Sequence, residues 1–127
     1  MKTELSDGEW TLMKTLWRGA PMTITQLTKA LKDGPGWSKH PISSMLSRLE
    51  EKKAVTYHYS GRAKAYVPVL EQGSAVRQET TRFLDKVCDG HLGVMLNAMM
   101  DARPLTQADL DELSAILEQA KEENNHA

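Results

Sequence analysis

The sequence has little of what would place it in a membrane or an oxidising compartment. Cys88 is its only cysteine, so it can form no internal disulfide and has no cysteine partner at metal-ligand spacing. No apolar run approaches the roughly 18 residues that a membrane span needs, and the first residues contain no hydrophobic signal segment. These absences predict a cytoplasmic protein that makes no contact with a membrane.

Catalytic and metal-binding signatures are also lacking. The sequence contains no glycine-rich phosphate loop, no nucleophile elbow and no HExxH pattern. Its histidines, which are His40, His58, His91 and His126, are spaced in a way that fits no metal site. We therefore expect no enzyme activity, no metal and no cofactor. An enzyme that uses acidic residues of the C-terminal part is the weakest alternative.

The net charge is only −1, but the charges are unevenly distributed. Residues 1–67 hold 11 Lys and Arg against six Asp and Glu, whereas residues 68–127 hold five against 11. A basic first half and an acidic second half are typical of a nucleic-acid-binding domain joined to an assembly domain. Chance asymmetry in a small protein is the alternative that charge alone leaves open.

Helix-start signals mark the first two helices. Ser6 is followed three residues later by Glu9, and Thr23 is followed by Gln26 in the same way. Both pairs are capping boxes, in which each side chain can bind the backbone N–H of the other residue. Apolar residues follow both boxes at helical spacing, and glycine and proline residues end each run. Two short helices with buried faces are therefore predicted.

Ser38 is expected to cap a third helix, with Pro41 in its first turn. One face is apolar, and the opposite face carries short polar or cationic side chains: Lys39, His40, Ser43, Ser44, Ser47 and Arg48. No carboxylate follows until Glu50 and Glu51. Such a face suits a phosphate-lined groove, because short side chains let the backbone approach the bases. An ordinary solvated face is the alternative, although such a face usually mixes both signs of charge.

Two β-type segments follow the third helix. Residues 55–59 and 63–67 are rich in β-branched and aromatic residues, and Gly61 lies between them, so a hairpin is predicted. Three helices followed by a hairpin give the order of a winged helix-turn-helix. Arg62 and Lys64 would then lie on the wing and meet DNA phosphates. Residues 1–70 are thus predicted to form a winged-helix DNA-binding domain.

The remainder, residues 71–127, shows only helical patterns. Three short amphipathic helices are expected, with a polar end from Glu118 that frays. A symmetric partner chain would cover their apolar side chains. These are Val76, Phe83, Leu84, Val87, Leu92, Met95, Leu96, Met99, Leu110, Leu113, Ile116 and Leu117. The predicted class is therefore mainly α with a small β-hairpin wing: a winged helix-turn-helix domain followed by a C-terminal helical dimerisation domain.

Many separate blocks of the sequence also match one family, in the right order. They are Ser6-Asp7-Gly8-Glu9-Trp10, Met13-Lys14-Thr15-Leu16-Trp17, Trp37-Ser38, Ser47-Arg48-Leu49, Gly61-Arg62-Ala63, Tyr66-Val67-Pro68, Phe83-Leu84-Asp85 and Leu105-Thr106. On these blocks the chain resembles the penicillinase-repressor group, the BlaI, MecI and CopY regulators. The resemblance covers nearly the whole chain.

The resemblance implies a bacterial repressor that binds an inverted-repeat operator in double-stranded DNA as a homodimer and controls a resistance or stress operon, antibiotic resistance included. In the β-lactam branch a sensor metalloprotease triggers cleavage of the tail, and an ungapped match places Ala98-Met99 at the cleaved pair. The copper-responsive branch uses paired Cys-x-Cys motifs, which this tail lacks. Pro41 stands where relatives carry a DNA-contacting threonine, and Lys53 where they carry a glycine.

A second function class stays open at this point. Pro41, Glu50 and Glu51 are unusual on a DNA-reading helix, because one removes a donor and two add negative charge. The alternative is a winged-helix protein-interaction module without sequence-specific DNA binding. Under that hypothesis Arg48 and Arg62 would be dispensable.

Overall fold

The computed structural model describes residues 4–126. Within this range the elements, in chain order, are α1 (Asp7–Gly19), α2 (Ile24–Ala30), α3 (Lys39–Glu51), β1 (Val55–Ser60), β2 (Ala63–Pro68), α4 (Gln72–Cys88), α5 (Leu92–Ala102) and α6 (Gln107–Asn125). This order confirms the predicted mainly helical class with a β-hairpin wing. None of the helices in residues 4–126 is long and apolar enough to cross a membrane.

The chain divides into two compact units, one that ends at Arg82 and one that begins at Phe83. The division falls inside α4, so a continuous helix belongs to both units. The domain boundary predicted from the sequence, between residues 70 and 71, lies just before α4 begins and stays a prediction.

The capping boxes of the first two helices are present as predicted. Ser6 N–H donates to Glu9 Oε1 over 2.8 Å, and Glu9 N–H donates to Ser6 Oγ over 3.2 Å. Thr23 and Gln26 make the same reciprocal pair at 2.8 and 3.2 Å. Each box satisfies two backbone donors that a helix start otherwise leaves free, which fixes where α1 and α2 begin.

The hydrophobic core of the first unit is built from the inner faces of α1, α2 and α3 and the base of the hairpin. Its fully buried apolar side chains are Leu12, Met13, Leu16, Leu27, Ile42, Leu46 and Leu49. Trp17 packs beside this core and donates its Nε1–H to the carbonyl of Leu70 over 2.9 Å. The bond ties the end of α1 to the segment that follows the wing.

The wing is a two-stranded antiparallel hairpin whose register runs from Val55 opposite Pro68 to Ser60 opposite Ala63. Its two-residue loop begins with Gly61, whose φ is 65°. A type II′ turn requires positive φ at this first central position, which glycine adopts without strain. The backbone of Met22 also pairs with Tyr66, so the loop before α2 extends the base of the sheet.

The chain leaves α3 through a left-handed residue. Lys53 has a φ of 62°, and the N–H of Ala54 beyond it donates to the carbonyl of Leu49 over 2.9 Å. A side chain in this conformation costs roughly 1–2 kcal/mol relative to glycine. The turn therefore keeps the geometry that favours glycine and carries a small strain at Lys53.

The second unit is stabilised by local interactions more than by a core. Thr106 and Asp109 form a capping box at the start of α6, with distances of 3.0 and 3.1 Å. Neither α5 nor α6 contains a buried residue. The segment from Glu118 is helical as far as Asn125, and Lys121 pairs with Glu118 over 3.4 Å, so fraying of this end stays a prediction.

Candidate nucleic-acid interface

The polar residues predicted for the third helix lie on α3, most of them away from its buried apolar stripe, whereas Lys39 precedes Ile42 by three residues on the same side of the helix. Six side chains were predicted to form the polar face: Lys39, His40, Ser47 and Arg48 are exposed, and Ser43 and Ser44 are half-buried. The side chains of the two half-buried serines are short, so they leave the helix backbone accessible to a partner. The face therefore combines a shallow polar centre with cations near both ends.

The start of α3 differs from the other capped helices. Ser38 occupies the N-cap position, as expected, but its side chain makes no capping hydrogen bond. The caps of α1, α2 and α6 all accept the N–H of the third helical residue. In α3 that residue is Pro41, which has no N–H to donate. The Ser38 hydroxyl is therefore left available at the end of the polar face.

The wing places its two predicted cations differently. Arg62 lies exposed in the turn. Lys64 is half-buried, and its Nζ lies 4.3 Å from the centre of the Tyr57 ring. This cation–π contact holds the ammonium group against the hairpin instead of leaving it free in solution. The wing thus offers one exposed cation, Arg62, and one, Lys64, that is held by its contact with Tyr57.

The C-terminal end of α3 is anchored by an ion pair that sequence reasoning missed. Lys52, directly after the helix, donates from Nζ to Glu9 Oε1 over 2.6 Å and to the carbonyl of Glu4 over 2.8 Å. The Glu9 side chain is 1% exposed, and its Oε2 has no hydrogen-bond partner among the described residues. The pair links the start of α1 to the end of the polar helix across 43 positions of sequence.

The environment of Glu9 favours its ionised form. Burial raises the pKa of this carboxyl, but the hydrogen bonds from Lys52 and from the Ser6 backbone N–H lower it by more, so the net pKa is below the usual value. Glu9 was identified from the sequence only as a capping residue. Its capping function is local and visible in the sequence, whereas its partner Lys52 comes from a distant turn.

The cations of the α3 face and the turn carry no internal partner. Within residues 4–126 no ion pair or side-chain hydrogen bond engages Lys39, Arg48 or Arg62. Unpaired arginine and lysine side chains beside small hydroxyl groups can bind phosphate oxygens and the acceptor edge of guanine. The described residues also contain no group of three or more His, Cys, Asp or Glu side chains that could hold a metal ion.

Comparison with known proteins decides the family. The sequence model described as penicillinase repressor matches residues 5–119, which is most of the chain. The chain belongs to the penicillinase repressor family. This membership confirms the resemblance read from the sequence blocks, and it confirms a transcription regulator rather than an enzyme.

Individual members of the penicillinase repressor family support the assignment over most of the chain. The penicillinase repressor of Bacillus licheniformis is 29% identical over 118 residues, which cover 93% of this chain and 92% of that protein. The solution structure of the DNA-binding domain of the repressor BlaI has a TM-score of 0.51 and 32% identity, and it covers 58% of this chain and 93% of that one. This likeness confirms the winged-helix fold.

A second solution structure shows a relative with its ligand. It contains the monomeric form of Bacillus licheniformis BlaI in complex with the blaP half-operator, with a TM-score of 0.50 and 30% identity. The match covers 58% of this chain and 90% of that one. In that relative, a single winged-helix chain therefore occupies half of an operator.

In this penicillinase repressor family member the side chains predicted for dimerisation are largely in contact with solvent. The exposed ones are Val76, Phe83, Val87, Leu92, Met99, Leu110, Ile116 and Leu117, whereas Leu84, Met95, Leu96 and Leu113 are half-buried. Met100, which the sequence places in the apolar stripe of α5, is also more than half exposed, and so is Val94, which was missed. Val94 lies beside the predicted stripe of α5, and a wider apolar face would have included it.

Two cavities interrupt the apolar surface of the second unit. One, of about 230 Å³, is lined by Leu96, Met99 and Leu113 together with polar residues at its rim. The other, of about 190 Å³, is lined by Phe83, Val87 and neighbours that include Ala98. Ala98 and Met99, the pair at the family's cleavage position, lie inside α5 rather than in a loop.

Proposed function

We propose that this chain is a cytoplasmic repressor that binds an inverted-repeat operator as a homodimer and controls a resistance or stress operon. The observation that carries the proposal is the α3 face, where Lys39 and Arg48 have no internal partner and flank the small hydroxyl groups. The wing supplies further positive charge through Arg62. The operator-bound relative supports the same use of the fold.

On this proposal α3 enters the major groove. The short side chains of Ser43 and Ser47 let the helix backbone approach the bases, and Arg48 can donate two hydrogen bonds to the O6 and N7 atoms of a guanine. Lys39 and Arg62 neutralise phosphates, which supplies affinity without sequence information. Pro41 replaces the threonine of the family pattern, so we expect this operator to have its own preferred sequence.

The proposed homodimer uses the tail. Isolated surface apolar residues are ordinary, but many exposed apolar side chains on successive helices are typical of a surface that a partner covers. A twofold-symmetric pair would cover the same residues on both chains and place two copies of α3 on successive half-sites. The double-stranded operator and a second copy of the chain are therefore the partners in this proposal.

A sensor metalloprotease is the further partner that the family's β-lactam branch suggests. Ala98 and Met99 are exposed but lie in the middle of α5. Proteolysis acts preferentially on exposed, irregular backbone. Release by cleavage at this pair therefore requires α5 to unwind locally before the protease can act.

Arg48→Ala and Arg62→Ala are the variants that test the proposal. We expect Arg48→Ala to lower operator affinity by about 1–3 kcal/mol and to relax the preference for one base. Arg62→Ala should weaken binding to all sequences and reduce the salt slope by about one, because one phosphate contact is lost. Fluorescence anisotropy over a salt series, with a duplex from the DNA upstream of its own gene, measures both.

The matched control is Arg77→Ala, which removes an exposed arginine on α4, outside α3 and the wing. Its affinity and salt slope should equal those of the unaltered chain. If both Arg48→Ala and Arg62→Ala also bind like the unaltered chain, operator recognition through α3 and the wing is wrong. The alternative of a protein-interaction module would then be favoured.

A further inference from the structure

Tyr59 is the most exposed large aromatic residue of the first unit, with 65% of its surface in contact with solvent. It lies in β1 two residues before the turn glycine, Gly61. Its ring packs edge-on against the Tyr57 ring, with 5.7 Å between the ring centroids. The wing therefore presents an oriented aromatic surface that the fold itself does not cover.

Strand register places Tyr59 beside a fixed cation. Tyr57 pairs with Tyr66, and Tyr59 pairs with Lys64, so these four side chains share one face of the hairpin. At the base of this face Tyr66 is buried in the core. Further out, Lys64 lies over the Tyr57 ring at 4.3 Å. Along this face the buried Tyr66 is therefore followed, nearer the turn, by Lys64 and the exposed ring of Tyr59.

The charge of Lys64 is influenced by the side chains around it. Partial desolvation lowers the pKa of Lys64, but the Tyr57 and Tyr66 side chains and the Glu50 carboxylate of α3 raise it by more. Glu50 stands on the same helical stripe as Ser43 and Ser47, at a spacing of three and seven residues. The raised pKa keeps Lys64 positively charged beside its strand partner Tyr59.

We propose that Tyr59 is a DNA-contacting residue, whose ring packs against the sugar–phosphate backbone where the wing meets the duplex. The inference rests on the proposed operator binding and adds to it a contact that carries no charge. The neighbouring cations argue for DNA as the occupant, because Lys64 has a fixed position and Arg62 has no internal partner. An exposed ring with Lys64 as its strand partner and Arg62 in the nearby turn can cover apolar sugar atoms while the cations bind phosphates.

The salt dependence of binding distinguishes this contact from an ionic one. Tyr59→Ala should weaken binding about tenfold at every salt concentration, because roughly half of an aromatic side chain loses its buried contact. The salt slope should not change, since no counterion release is lost. Tyr59→Phe, which keeps the ring, should bind within about twofold of the unaltered chain.

The measurement is fluorescence anisotropy at several salt concentrations with two duplexes, one from upstream of its own gene and one of random sequence. A backbone contact should weaken binding to both by the same factor. Val69→Ala is the matched control, because Val69 is 59% exposed but lies beyond the base of the hairpin. Thermal unfolding checks that each variant keeps its fold, as expected for such exposed positions.

The Tyr59 contact and operator binding can fail independently in these measurements. If the unaltered chain binds and Tyr59→Ala binds equally well, the Tyr59 contact is wrong while operator binding stands. A Tyr59→Ala variant that reduces the salt slope, or a Tyr59→Phe variant as weak as Tyr59→Ala, overturns the apolar contact. If the unaltered chain binds neither duplex, both proposals fail.

Discussion

Leu117→Asp is expected to convert the protein into a monomer and to lower its affinity for the full inverted repeat by about 10²–10⁴-fold. The reason is avidity: without a partner chain, the second winged helix no longer binds at a high effective concentration. Leu117 is 56% exposed in the single chain, so a carboxylate there should leave each chain folded. In a dimer the same carboxylate would be buried without a partner, which is strongly unfavourable.

Two DNA probes make this expectation specific. Binding to a duplex with one half-site should change by less than about twofold, because a single winged helix makes all its contacts there. Light scattering should show the unaltered chain as a dimer and Leu117→Asp as a monomer. Gln119→Asp, an equal charge change at an exposed polar position of α6, is the control and should stay dimeric. A dimeric Leu117→Asp variant would contradict the proposed interface.

Lys52→Met is expected to destabilise the first unit by about 2–3 kcal/mol at neutral pH. It leaves the Glu9 carboxylate buried without its charged partner. Breaking a fully buried pair in this way costs roughly 3–5 kcal/mol. We expect a smaller loss here because the Lys52 side chain is 34% exposed. Urea unfolding followed by tryptophan fluorescence measures it, since Trp10, Trp17 and Trp37 all lie in the first unit.

The free energy of unfolding should also depend on pH in a direction that tests the same ion pair. In the unaltered chain the pKa of Glu9 is lowered by folding, so its contribution is fully present above the ordinary value of roughly 4.3 and is lost as pH falls through the folded value. In Lys52→Met the hydrogen bond from Lys52, which lowers the pKa of Glu9 most, is absent. Burial should therefore raise the pKa of Glu9 in this variant. The stability deficit of the variant should therefore shrink as the pH is lowered from 7 towards roughly 4.

Lys53→Met serves as the matched control, because it removes the same charge from the next residue, which is exposed and makes no ion pair with a described residue. Its free energy of unfolding should stay within about 0.5 kcal/mol of the unaltered chain. The buried pair is not important for stability if Lys52→Met and Lys53→Met unfold at the same urea concentration. A deficit that does not change with pH would contradict the raised pKa.

The sequence predicts the parts of this fold that depend on neighbouring residues. The Ser6 and Thr23 boxes and the turn at Gly61 were found because each signal lies within four positions. The prediction that Ser38 caps α3 was wrong about the side-chain bond, because Pro41 stands where the donor N–H should be. The contact between Glu9 and Lys52 was not predictable, because nothing local marks which of two adjacent lysines reaches a buried carboxylate.

In the candidate interface, too, the sequence predicts the local features and not the long-range ones. The polar face of α3 follows from helical periodicity, and most of its predicted residues lie away from the buried stripe in the structure. The cation–π contact that fixes Lys64 depends on strand register, and the exposure of Tyr59 depends on how far the hairpin extends beyond the core. Strand pairing and exposure arise from the whole fold, so composition and periodicity alone do not give them.

The most direct test of a dimeric, sequence-reading repressor is a hydroxyl-radical or nuclease footprint of the unaltered chain on the DNA upstream of its own gene. We predict two protected half-sites, related by inverted symmetry, whose centres lie about 10–10.5 base pairs apart or a whole multiple of that distance. Protection should weaken steeply as salt is raised. A single protected site, a spacing that is not a whole number of helical turns, or no protection at micromolar protein would contradict the account.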